Sequence, residues 1–203
     1  MKTTLISLVV LGKGFTPQVF GEKRLGSLFP DEPRNKIITG ALALLSYPGG
    51  YEILVQEERI EVKLSSPASG SDQKLQKAIS HLLGLWPLVE PRGLGLNFQL
   101  ARVSGPEREL ERAAAERLLK LPELNALAGR QVQPAEFAFG FTEEGARVNC
   151  RLLFNGTVER QPAMVFDFNV HYDEPANLVA RVKDQQKWFE RVRELAARIG
   201  NGD

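Results

Sequence analysis

Hydrophobic and polar residues alternate with a period of two along much of the chain, and this period predicts β-strands. The apolar run from Leu5 to Leu11 predicts a buried first strand. Residues 40–64 predict a three-stranded antiparallel meander with a turn at Pro48-Gly49-Gly50. The same alternation returns in 93–103 and, over several strands, in 136–172.

Apolar residues recur at spacings of three and four in the intervening segments, which predicts amphipathic helices. One helix is expected over 72–86 and a second over 104–121, where Ser104 and Glu107 match a capping box. A long C-terminal helix is expected to begin at Pro175, because proline is favoured in a first helical turn.

Runs of antiparallel strands followed by helices predict an α+β fold. We expect antiparallel β-meanders, each closed by a helix, and a long helix at the C-terminus. The length of 203 residues suits a single α+β domain over 1–203. The order of elements also allows two similar meander-plus-helix halves, 1–103 and 104–203, packed together.

Composition and charge narrow the function classes without selecting one. Hydrophobic residues at 43% and charged residues at 25% are typical of a globular protein. The chain has 26 Lys and Arg against 25 Asp and Glu, so no overall positive field draws it to nucleic acid or an anionic membrane. Two histidines and one cysteine are too few for an ordinary zinc site, and we expect neither metal nor cofactor.

The expected location is the cytoplasm. A single cysteine, Cys150, cannot form an internal disulfide, which suits a reducing compartment. The run from Leu5 to Leu11 is far shorter than the ~20 apolar residues of a membrane helix, and "GKGFTPQVFG" offers no signal-peptide cleavage site. We therefore expect no membrane association.

The segment "MVFDFNVHYDEP" holds the strongest candidate for chemistry. Asp167, Asn169, His171 and Asp173 alternate with apolar residues, so all four lie on one face of a strand. One interpretation is catalytic: His171 would be a general base oriented by Asp173 or Asp167, in a hydrolase or metal-assisted enzyme. The other interpretation is an ordinary solvated sheet face.

Three other features have mainly structural interpretations. Cys150 alternates with apolar residues and is expected to be an inert core thiol. His81 has no second ligand at helical spacing, so a surface or boundary position is expected. Asn155-Gly156 predicts a two-residue hairpin turn.

The C-terminal helix offers an apolar surplus, which indicates a partner surface. Val179, Trp188 and Leu195 extend its apolar face beyond what one sheet covers. Its basic residues are interleaved with acids, which disfavours nucleic-acid contact. The sequence thus favours a non-catalytic protein-interaction module or accessory subunit of a cytoplasmic, bacterial-type multiprotein system, bound to another protein or to itself. The alternatives are the enzyme that uses Asp167, His171 and Asp173, and a nucleic-acid-binding accessory protein.

Overall fold

The computed structural model describes residues 1–18, 29, 31–67, 72–86, 89–105, 107–129, 131, 135–173 and 177–201. The side chains of Asp72, Val179 and Asn201 lie outside this description, as does the helix start predicted at Pro175.

In the described part of the chain, nine strands form one sheet in which every pair is antiparallel. The strands are β1 (Lys2–Lys13), β2 (Asn35–Ile38), β3 (Leu42–Tyr47), β4 (Tyr51–Gln56), β5 (Arg59–Ser65), β6 (Glu90–Val103), β7 (Glu136–Glu143), β8 (Ala146–Val158) and β9 (Gln161–Asp173). Their order is β2-β3-β4-β5-β1-β6-β9-β8-β7, so the long strands β1 and β6 pair at the centre of the sheet. This arrangement confirms the predicted α+β fold of antiparallel meanders followed by helices.

The described helices are α1 (Asp72–Gly84), α2 (Glu109–Leu119), α3 (Leu121–Ala128), α4 (Leu178–Lys183) and α5 (Gln185–Asn201). Strand residues of one parity, such as Leu8 on β1 and Phe166 on β9, form a single core with the apolar stripes of the helices. The predicted long C-terminal helix is present as α5, although α4 precedes it as a separate short turn. In the described residues, no helix is both long and apolar enough to span a membrane.

The helix predicted over 104–121 begins later and breaks earlier than expected. The Ser104 hydroxyl donates to the carboxylate of Glu111 at 2.6 Å instead of capping a helix. Glu111 is only 4% exposed, so this hydrogen bond offsets part of the cost of burying its carboxylate. The helix starts after Arg108, and Lys120, with φ of 47°, separates α2 from α3.

The hairpin turn predicted at Asn155-Gly156 is wrong, because both residues lie inside β8. The chain turns instead at Glu159-Arg160, whose φ values of 52° and 68° match a tight hairpin turn with two left-handed residues. Gly156 is required for packing: a Cβ there would lie 2.5 Å from Cγ2 of Val165 on β9. A close approach of two strands can therefore give the same sequence signal as a turn.

Candidate functional site

The side of the sheet opposite the helices, called the open face, is crossed by a row of almost entirely polar residues. Residues in register across the nine strands share a face, and one such row lies near the middle of the sheet. This central row reads Asn35, Ser46, Glu52, Lys63, Ser7, Asn97, Asn169, Asn149 and Gly140. Asn169 is thus surrounded by carboxamides from the neighbouring strands.

Three residues of the central row form a hydrogen-bonded ladder. The Asn169 Nδ2 donates to Asn97 Oδ1 at 2.5 Å, and the Asn97 Nδ2 donates to Ser7 Oγ at 3.0 Å. Ser7 is 2% exposed, so one end of the ladder is a buried hydroxyl with little freedom to move. Both carboxamide planes are therefore fixed before any ligand arrives, while each retains hydrogen-bonding capacity toward solvent.

The neighbouring row continues the network with one ion pair. The Thr4 Oγ1 donates to Gln99 Oε1 at 2.7 Å, and Gln99 Nε2 donates to Asp167 Oδ1 at 2.8 Å. The other oxygen of Asp167 accepts from Arg151 at 3.2 Å. Both oxygens of Asp167 thus have hydrogen-bond partners, and the guanidinium of Arg151 balances its negative charge.

These two rows line an open groove of about 450 Å³, called the amide groove. The open-face residues that line it are Leu5, Asn97, Gln99, Ala138, Asn149, Arg151, Asp167 and Asn169. Gly140 makes room for the Asn149 carboxamide, because a Cβ at this glycine would lie 3.0 Å from Asn149 Oδ1. The volume falls within the usual range of ligand pockets.

Sequence reasoning identified Asp167 and Asn169 as candidates but missed Asn97, Gln99 and Asn149. A signal for the missed residues exists: Asn97 and Gln99 are the polar members of the alternating segment "LNFQL". Their contact with β9 depends on pairing between strands about 70 residues apart, as in the Asn97–Asn169 hydrogen bond, which alternation does not reveal.

The proposed catalytic trio is only partly brought together. His171 Nε2 and Asp173 Oδ1 lie 2.8 Å apart, and Arg147 approaches the other oxygen of Asp173 at 3.6 Å. Gly93 lies beside the ring, since a Cβ there would be 3.3 Å from His171 Cε1. Asp167 lies four residues along the strand from His171, about 13 Å away, and is held by Gln99 and Arg151. The structure therefore forms a His171–Asp173 pair separate from Asp167. Among the described residues, no group of three or more His, Cys, Asp or Glu side chains could hold a metal ion.

The partner surface expected on the C-terminal helix needs correction at Trp188. Its ring is 2% exposed and belongs to the core. The indole Nε1 donates to the Tyr172 hydroxyl at 2.6 Å, and that hydroxyl donates to Asp184 at 3.3 Å. Leu195 is half-buried and also packs against the core, while the Val179 side chain lies outside the described residues. Trp188 is therefore a core residue and adds no apolar surface for a partner.

Cys150 lies behind the amide groove, on the core side of β8, and is 2% exposed. Burial, with a smaller contribution from the charge of Asp167, raises the pKa of the Cys150 thiol to about 12. The unfolded thiol ionises near its ordinary pKa of about 8.5. The stability that follows from this difference is fully present below that pH and is lost as the pH rises toward 12.

We expect native Cys150 to resist alkylation. At pH 8 the folded protein should react with iodoacetamide on the order of 1000-fold more slowly than the unfolded chain, because the thiolate is the reacting form. Mass spectrometry of timed, quenched samples with and without guanidinium measures both rates. Equal rates in the two states would mean that the thiol is exposed.

The chain matches no protein-family model and no curated protein sequence.

Proposed function

We propose that this protein is a non-catalytic interaction module, an accessory subunit of a cytoplasmic, bacterial-type multiprotein system. In this proposal it holds an uncharged, extended segment of a partner protein in the amide groove. The cytoplasmic location is supported by Cys150, a free and deeply buried thiol, which suits a reducing compartment.

The observation that carries the proposal is the Ser7–Asn97–Asn169 ladder in the groove. A carboxamide presents an N–H donor and a C=O acceptor side by side, as does a peptide unit, so the two can pair in both directions. The ladder fixes Asn97 and Asn169 through hydrogen bonds of 3.0 and 2.5 Å. Ordering these side chains in advance lowers the entropic cost of binding.

The charge of the groove supports an uncharged ligand. Its lining holds one positive and one negative side chain, Arg151 and Asp167, paired at 3.2 Å, so the groove has no net charge to attract a phosphate or an acidic peptide. Nucleic-acid binding requires a continuous positively charged surface, and the groove lining does not provide one. The engagement of both Asp167 oxygens likewise favours binding over a catalytic role for this carboxylate.

Asn169→Leu should weaken binding to the partner segment by about tenfold, because two hydrogen bonds of roughly 0.7 kcal/mol each are lost. The probe is the tightest peptide selected by the wild-type protein from a displayed library of random, uncharged peptides, and calorimetry measures the Kd. Leucine keeps the branched shape of asparagine at Cγ, and residue 169 lies on the open face outside the apolar core, so the fold should remain intact.

Ser46→Ala is the matched control, since Ser46 lies in the same central row but four strands from Asn97 and outside the groove. This variant should bind the selected peptide as the wild type does. Selected peptides that bind Asn169→Leu with unchanged affinity would refute the groove as the binding site.

A further inference from the structure

The two edges of the sheet differ in how they are protected. At one edge, β2 has only four residues and includes Lys36, and both features discourage pairing with another strand. At the other edge, β7 has eight residues, "EFAFGFTE", with neither lysine nor proline. In the described part of the chain, β7 pairs on one side alone, with β8. Its outer edge therefore offers a long row of backbone groups for pairing.

The direction of these backbone groups follows from one hydrogen bond. The amide of Phe154 donates to the carbonyl of Ala135 at 3.1 Å, so residue 135 directs its backbone groups toward β8. Backbone direction alternates along a strand. The odd-numbered residues of β7 thus bond to β8, and the even-numbered ones, Glu136, Ala138, Gly140 and Thr142, direct N–H and C=O outward.

The helix side of β7 carries an incompletely covered aromatic strip. Phe137, Phe139 and Phe141 are all half-buried, whereas their pairing partners on β8, among them Cys150, are buried. Neighbouring ring centroids lie 5.7 and 6.4 Å apart, so the three rings form one continuous strip. An added strand at this edge would cover the exposed flank of the strip.

We propose that the outer edge of β7 binds β7 of a second copy of this chain, antiparallel, about a two-fold axis that passes beside Phe139. This register places Phe139 opposite Phe139 of the second copy and Phe137 opposite Phe141. Cross-strand aromatic pairs are favourable on such a face. On the open face, Ala138 faces Gly140 and Glu136 faces Thr142, so no like charges oppose each other.

Backbone geometry fits the same register. Ala138 and Gly140 both direct their backbone groups outward, so they meet as a hydrogen-bonded pair, while Phe139 meets its copy at a close, non-hydrogen-bonded position. A shift by two residues in one direction would place Phe137 opposite Glu143, and a shift in the other direction would place Phe141 opposite Ala135. The self-complementary pattern therefore selects a second copy as the occupant.

The two-fold axis stands perpendicular to the sheet, so the open faces of both copies lie on one side. Ala138 lines the amide groove and lies next to the axis. The two grooves would thus adjoin within one continuous sheet. The dimer itself does not depend on the groove being a peptide site.

The test is sedimentation equilibrium of the full chain from low to high micromolar concentration. The wild type should dimerise, and Ala138→Pro should weaken the dimer by about tenfold or more, since each copy loses an outward N–H. This N–H does not bond to β8, so circular dichroism should report an intact fold. Lys36→Pro is the matched control: the Thr39 amide bonds to Leu42, which leaves the Lys36 N–H directed outward at the opposite edge. It should leave the dimer unchanged.

Amide hydrogen exchange tests the register without any substitution. As the wild-type concentration rises, the amides of Ala138, Gly140 and Thr142 should become protected, while the protection of Phe139 stays constant. Three results would each overturn the proposal. The wild type could remain monomeric, folded Ala138→Pro could retain the dimer, or the protection of all three amides could be independent of concentration.

Discussion

Replacing Trp188 with alanine should lower the free energy of unfolding by about 3–5 kcal/mol, the usual cost of removing a large aromatic ring from a core. The ring is 2% exposed, and its Nε1 donates to the Tyr172 hydroxyl at 2.6 Å. The substitution would leave a cavity between α5 and the sheet and deprive the hydroxyl of Tyr172, a residue 3% exposed, of one donor. Both effects act on the folded state, so the midpoint of denaturant unfolding should fall.

Urea unfolding followed by far-ultraviolet circular dichroism measures this change. Trp188→Phe is the matched control, because it keeps an aromatic ring in place and removes the indole donor. Its cost should be smaller, about 1–2 kcal/mol for the lost hydrogen bond and a small cavity. If Trp188→Ala instead unfolds at the wild-type midpoint, the indole is not part of the core.

Trp188 also shows why a helical pattern overestimates exposed apolar surface. The spacing of apolar residues on the C-terminal segment indicates one stripe through Val182, Val192 and Ala196, and these residues are buried. Trp188 lies at the margin of that stripe in sequence. The Trp188 side chain is long enough for its indole to reach beneath the helix and donate to the Tyr172 hydroxyl on β9. The helical spacing of apolar residues gives no sign of this partner. A wide ring with a polar tip can be buried wherever its N–H finds a partner.

The strands were predictable because their signal is local. Alternation within 40–64 indicates three strands and the turn between β3 and β4, and the structure confirms both. The His171–Asp173 contact was predictable for the same reason, since both residues lie on one face two positions apart. Each inference required only the period of one strand.

The amide groove was not predictable, because it depends on which distant strands pair and in which register. Asn97 and Asn169 meet only because β6 pairs with β9 at that register. A slip of one residue in β9 would direct the Asn169 carboxamide to the other face of the sheet, away from Asn97. Gly156 illustrates the same limit. A glycine is needed there because the side chain of Val165 on the next strand leaves no room for a Cβ. The local pattern thus predicts which residues share one face of a strand, while the pairing of distant strands decides which of those residues become neighbours.

Gly50→Ala should destabilise the protein by about 2–5 kcal/mol, although the side chain added is a single methyl group. Gly50 ends the turn between β3 and β4 with φ of 84°, where a non-glycine residue costs about 1–2 kcal/mol. A Cβ would also lie 2.7 Å from the carbonyl oxygen of Ser65. Ser65 cannot retreat freely, because its amide donates to the Gly50 carbonyl at 3.0 Å. Overpacking against fixed backbone adds about 1–3 kcal/mol.

Gly49→Ala separates these two contributions, because the neighbouring glycine has nearly the same φ, 81°, without the steric conflict. A Cβ there would make only ordinary contact, 3.6 Å from the Tyr51 ring. Its cost should therefore be the conformational one alone, about 1–2 kcal/mol. Unfolding both variants in urea gives the difference directly. Equal destabilisation would mean that β5 moves aside for the methyl group and that backbone strain is the whole effect.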